Sequence, residues 1–152
     1  IYLDDRLFDG VTAFLSRIRE KGGRYLFLTN NSSKGVEGYI EKLNGMGIAT
    51  GREDYLTSVD AAIDLLRRRY PGRRCYVQGT RSFYDQLAAA GIPVTCDRED
   101  GAEILLSGFD RELTFQKLED ANIAAFSTPS IPLSALADVF GICFHLQSYV
   151  IN

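Results

Sequence analysis

Arg24-Tyr25-Leu26-Phe27-Leu28 runs without a break into Thr29-Asn30-Asn31-Ser32-Ser33, and this junction decides the fold. The first half is short, largely apolar and preceded by Gly22-Gly23, the pattern of a buried strand. The second half is a cluster of small polar residues, the pattern of a turn. Beyond it Val36, Ile40 and Leu43 recur at helical spacing, with Ser32 or Ser33 placed to cap the helix and Gly45 and Gly47 to close it. Upstream, Val11, Phe14, Leu15 and Ile18 mark a helix with one buried stripe, stopped by Lys21-Gly22-Gly23. The order is helix, strand, polar turn, helix.

The alternation continues. Val59, Ala62, Ile63 and Leu66 predict a helix that Pro71-Gly72 ends, and Cys75-Tyr76-Val77 predicts a strand. Ser82 is placed to cap a helix through Phe83, Leu87 and Ala90, after which Ile92 to Thr95 resumes extended structure. Ile104-Leu105-Leu106 predicts another strand, and a helix follows from near Leu113. Strands alternating with helices in this way argue for parallel βαβ units and an α/β fold. Residues 123–152 differ in character, with Asp138 their single charged residue against 24% charged overall. There Phe126 to Pro132 reads as an extended or turn segment and Leu133 to Phe140 as a short helix.

The charge balance narrows the partners. A net charge of -3 over 152 residues, with basic residues scattered apart from Arg67-Arg68-Arg69 and Arg73-Arg74, gives no general reason to bind nucleic acid. Those arginines read as the solvated end of a helix and its loop. Cys75, Cys96 and Cys143 are odd in number and lack metal-type spacing, which fits a reducing cytoplasm. No basic leader opens the chain and no apolar run is long enough to predict a membrane span. The chain starts at Ile1 rather than Met, so the N-terminus is read as cut.

The polar turn carries the chemistry. A strand that delivers Thr29, Asn30, Asn31, Ser32 and Ser33 to the start of a helix sets hydroxyls, amides and backbone N–H groups at the carboxyl edge of a sheet, where open α/β sheets bind ligands. Such a helix start favours an anion, phosphate above all. The bland alternative is that Asn and Ser only form the turn and cap the helix.

Phe27-Leu28-Thr29-Asn30-Asn31-Ser32-Ser33-Lys34, followed by Tyr39-Ile40-Glu41-Lys42-Leu43 and Gly47-Ile48, resembles the second motif of the haloacid dehalogenase (HAD) phosphatases of type IIA, the NagD-like and p-nitrophenylphosphatase family. Ile1-Tyr2-Leu3 resembles the stretch directly after that family's Asp-x-Asp-Gly-Thr motif, and Leu56-Thr57-Ser58 resembles the entrance to its cap. Cys75 to Thr80, Gly91-Ile92 and Leu106-Ser107-Gly108-Phe109-Asp110-Arg111 through Leu118 are similar to the cap itself. The likeness runs from residue 1 to about residue 122.

The resemblance implies a partial Rossmann-like HAD core with an inserted α/β cap of type C2. Residues 1–56 then form the front of the core, 57–122 part of the cap and 123–152 an unmatched tail, truncated or frame-altered. It also implies a cytoplasmic, Mg2+-dependent phosphatase of small phosphorylated metabolites, in which an Asp nucleophile forms an aspartyl-phosphate and a second Asp acts as acid and base. Only Thr29, with Asn30 and Asn31 beside it, matches that machinery: Thr29 as the catalytic-site donor, and all three as substrate-binding residues. Both catalytic aspartates and the metal ligands fall outside the matching residues, so this chain is expected to be inactive. The alternatives are a non-catalytic phospho-ligand or interaction module, and a gene product without an independent role. Asp4 and Asp5 read as an exposed turn, Lys34 as a solvated helix-start lysine, and His145 as a packed or surface histidine. Asp110 and Arg111 read as a turn or ion pair near the following helix.

Overall fold

The computed structural model describes residues 1–97 and 101–127. The predicted helix at Leu133–Phe140, His145 and Cys143 lie outside the described residues. The chain divides into two compact units, one made of Ile1–Leu28 and Val36–Leu56, the other of Thr29–Gly35 and the residues from Thr57 on.

The first unit opens with β1 (Tyr2–Leu3) and β2 (Arg6–Leu7), an antiparallel hairpin where a plain turn is expected. Asp4 at its tip has φ 51, and Asp5 is exposed and pairs with Lys42 at 3.1 Å. Helix α1 (Val11–Glu20) follows, then β3 (Phe27–Thr29), α2 (Val36–Gly45), a short 3-10 turn (Arg52–Asp54) and β4 (Tyr55–Thr57) beside β3. Leu15 of α1 and Val36 and Leu43 of α2 close over Ile48 and Tyr55, with Phe27 and Tyr25 packed against them. Phe14 does not join this stripe, because it is 65% exposed. Alternation along the extended backbone sends Phe27 and Tyr55 inward and leaves Leu26, Leu28 and Leu56 about half exposed.

Strand β3 starts later than expected and takes in Thr29, while α2 starts only at Val36. Ser32 and Ser33 therefore do not cap α2, since Lys34 and Gly35 separate them from its first residue.

In the second unit the order is α3 (Ser58–Arg69), β5 (Cys75–Gln78), α4 (Arg81–Ala89), β6 (Val94–Thr95), β7 (Ile104–Ser107) and α5 (Phe115–Ser127). Strand β5 lies between β6 and β7 and is parallel to both, with Cys75 opposite Val94 and Ile104. All four of its residues are buried, as a central parallel strand requires. Cys75 and Val77 meet Val59, Leu66, Phe83 and Leu87 from α3 and α4, and Ile104 and Leu106 from β7.

Two local expectations change here. Helix α4 is capped by Thr80, whose Oγ1 accepts from Phe83 N at 3.3 Å, and Ser82 sits inside the helix. Phe126 and Ser127 finish α5 and are helical, because the helix continues past the change of composition at residue 123. The arginines at the end of α3 and in the loop after it are structural: Arg67 donates to Ala90 O, Arg68 pairs with Asp64 at 2.8 Å, and Arg73 pairs with Glu103.

Candidate functional site

The turn after β3 is built by its own side chains. Thr29 Oγ1 accepts from Asn31 N at 3.3 Å, and Asn31 Oδ1 accepts from Ser33 N at 2.9 Å. Each side chain bonds the backbone two residues on, so the polar residues bend the chain instead of extending the strand. Thr29, Asn30 and Asn31 are all half-buried, and the structure brings these three predicted site residues together at the carboxyl end of β3. The cluster carries no acidic side chain, and the exposed Lys34 follows it. Ser33 Oγ is shielded from solvent and finds no hydrogen-bond partner among the described residues, which is rare for a buried hydroxyl.

Ser32 has a different task from the one expected of it. It is buried, and its Oγ accepts from Phe109 N at 3.0 Å. The approach is so close that a Cβ on Gly108 would stand 2.7 Å from Ser32 Oγ and 2.8 Å from Phe83 Cε1. Glycine is required there by contact rather than by backbone angle.

The loop that brings Phe109 to Ser32 leaves β7 as the first turn leaves β3. Its anchor is Asp110, whose side chain is 2% exposed and pairs with Lys117 of α5 at 3.1 Å. Sequence reasoning placed Asp110 beside the following helix but did not find Ser32, Gly108 or Lys117 as its companions. The repeated plan of strand, small polar turn and helix at Ser107-Gly108-Phe109-Asp110 was the available signal.

Among the described residues no group of three or more His, Cys, Asp or Glu side chains comes together to hold a metal ion. The described residues therefore offer no such cluster for a magnesium ion. Asp4 and Asp5, on the β1–β2 turn, line an open surface depression with Leu3 and Phe8. Cys75 is fully buried, and burial, reinforced by Glu103, lifts its thiol to about 11. Cys96 is exposed, and both are free thiols. No helix among the described residues is long and apolar enough to cross a membrane.

Comparison with known proteins gives this arrangement its relatives. A sequence model described as haloacid dehalogenase-like hydrolase matches residues 1–93. The acid sugar phosphatase of Staphylococcus aureus is 30% identical over 123 residues, which are 81% of this chain and 47% of that protein. The crystal structure of 4-nitrophenylphosphatase from Thermotoga maritima superposes with a TM-score of 0.74 at 33% identity, covering 81% of this chain and 46% of that one. NagD from E. coli K-12 shares the fold, with a TM-score of 0.72 over 92% of this chain and 62% of its own, at 20% identity. The chain thus spans about half the length of the curated relatives it matches. A partial Rossmann-like core carrying the Thr29–Ser33 turn, matched over residues 1–93, makes the chain a member of the haloacid dehalogenase-like hydrolases, in their type IIA, NagD-like branch.

Proposed function

We propose that the complete protein is a phosphatase of small phosphorylated metabolites and that this chain supplies its phosphate-binding corner without being active by itself. The carrying observation is the Thr29–Asn31–Ser33 turn, whose internal hydrogen bonds hold hydroxyl, amide and backbone groups together at a strand's carboxyl end. Phosphate transfer needs donors placed where negative charge gathers, and a turn without acidic side chains offers them at little electrostatic cost. Relatives named acid sugar phosphatase and 4-nitrophenylphosphatase agree with that chemistry. In this reading Thr29 and Asn30 donate to phosphoryl oxygens and Asn31 shapes the turn through Ser33 N. Residues 1–56 belong to the core, and the residues from Thr57 to about 122 belong to the cap that selects the substrate.

Magnesium belongs to the proposal only for the complete protein, held by residues other than those described. No step is routed through it here. The same holds for the nucleophile, and a cytoplasmic location completes the proposal.

Titration calorimetry with inorganic phosphate and with sugar phosphates, each with and without Mg2+, tests it on this chain. Phosphate binding is expected, with no turnover of p-nitrophenyl phosphate. Thr29→Val, which removes one donor to a charged group at nearly constant shape, is expected to weaken binding about tenfold or more. Equal binding by Thr29→Val would remove Thr29 from the site. Turnover by the chain alone would overturn its inactivity, and binding of sugar phosphates that ignores Mg2+ in both this chain and the complete protein would favour a non-catalytic phospho-ligand module.

A further inference from the structure

Asp110 is a charged group enclosed within the second unit, its side chain only 2% exposed. Its Oδ2 lies 3.1 Å from Lys117 Nζ and 3.3 Å from Gln78 Nε2, and its Oδ1 accepts from Glu112 N at 2.8 Å. Lys117 Nζ also donates to Gly79 O at 3.0 Å, and Gln78 Oε1 accepts from Ser107 Oγ. One carboxylate thus ties together the ends of β5 and β7, the loop after β7, and α5. Hydrophobic packing already joins β5 and β7, so an ion pair beside them adds little stability that apolar side chains of similar volume would not supply. What an ion pair adds is a defined position.

The position that matters is the residue before it. Gly108 N donates to Gln78 O at 2.9 Å, and the next N–H, on Phe109, donates to Ser32 Oγ at 3.0 Å in the middle of the Thr29–Ser33 turn. Gly108 has no room for a Cβ against Ser32 and Phe83, so the loop is pressed onto that turn on one side and held by Asp110 on the other. We infer that Asp110, through its ion pair with Lys117, is a positioning residue of the anion-binding turn, holding the Phe109 N–H on Ser32 Oγ and so setting the shape of the turn. This rests on the reading of that turn as the phosphate corner.

The test separates the two ideas because it has two readouts on the same chain. Amide exchange of Phe109, followed by NMR without ligand, reports the Ser32 contact directly, whereas affinity for inorganic phosphate reports the function of the turn. Asp110→Asn is expected to speed Phe109 exchange about tenfold, to the level of Ser32→Ala, while the β5 amides change less than about twofold. The Ser32→Ala/Asp110→Asn double variant is expected to lose no more phosphate affinity than Asp110→Asn alone, the mark of two residues acting through one contact. Lys117→Arg is expected to keep both readouts. Should Asp110→Asn not fold, Asp110→Asn/Lys117→Gln removes both charges at nearly constant volume and is read in the same way. Unchanged Phe109 exchange, acceleration spread equally over β5 and α4, or additive losses of phosphate affinity would overturn the inference. Failure of the unaltered chain to bind phosphate would instead overturn the reading of the turn, with the exchange result still deciding whether Asp110 holds Phe109 on Ser32.

Discussion

Cys75 shows what a single buried residue contributes. Its thiol is held at about 11, against an ordinary value of 9.0, because burial penalises the thiolate and Glu103 adds repulsion. Below pH 9 the thiol keeps its proton in the folded and the unfolded chain alike. Between about pH 9 and 11 the unfolded chain releases that proton while the folded chain retains it, so stability falls as pH rises, by about 1.4 kcal/mol per unit at most. Denaturation midpoints measured at pH 8, 9 and 10 are expected to drop more steeply for the natural chain than for Cys75→Ala, and parallel profiles would show that Cys75 carries no such penalty. At this scale the sequence was legible where neighbours in the chain are neighbours in space. Thr29, Asn30 and Asn31 are contiguous, and their turn chemistry is local. The role of Ser32 is not legible in this way, because its partner, Phe109, is 77 residues away and no local pattern announces a contact of that range.

Helices α1 to α4 were legible as elements because each presents a repeating apolar stripe, whereas β1, β2 and β4, of two or three residues each, are too short to show any period. Strand β4 is nevertheless where the helix after it is secured. Thr57, its last residue, accepts from Asp60 N at 3.1 Å through Oγ1, and its own N–H donates to Asp60 Oδ2 at 2.9 Å. This reciprocal box satisfies two donors that a helix start otherwise leaves unpaired, and the acid also faces the positive end of the helix dipole. Thr57 is buried, so solvent cannot replace the lost bonds. Thr57→Ala is expected to cost about 1–2 kcal/mol, read as a lower denaturant midpoint at unchanged slope, with Thr57→Ser recovering most of it. A Thr57→Ala midpoint equal to that of the natural chain would mean that packing alone starts α3.

At the scale of the molecule, two separate apolar clusters among the described residues argue against a single cooperative unfolding event. One gathers around Leu15, Leu43 and Tyr55, the other around Val59, Val77 and Leu87, and they share no residue. They are also unequal. The second covers its central strand on every side, whereas the first leaves Leu26, Leu28 and Leu56 exposed beside β3 and β4, although strands of α/β sheets are ordinarily covered on both faces. The α/β class was legible from the alternation of elements, but this imbalance was not, because periodicity reports which residues seek burial and not whether the chain supplies anything to cover them. Leu87 is 0% exposed, and truncating it to Ala is expected to destabilise the second unit by about 2–5 kcal/mol through lost contacts and the cavity left behind. Hydrogen exchange read by mass spectrometry should then quicken in peptides covering β5, α4 and β7, while those covering α1 and α2 keep their natural rates, already the faster of the two sets. Equal quickening of α1 and α2 in Leu87→Ala would show that the two clusters unfold as one body.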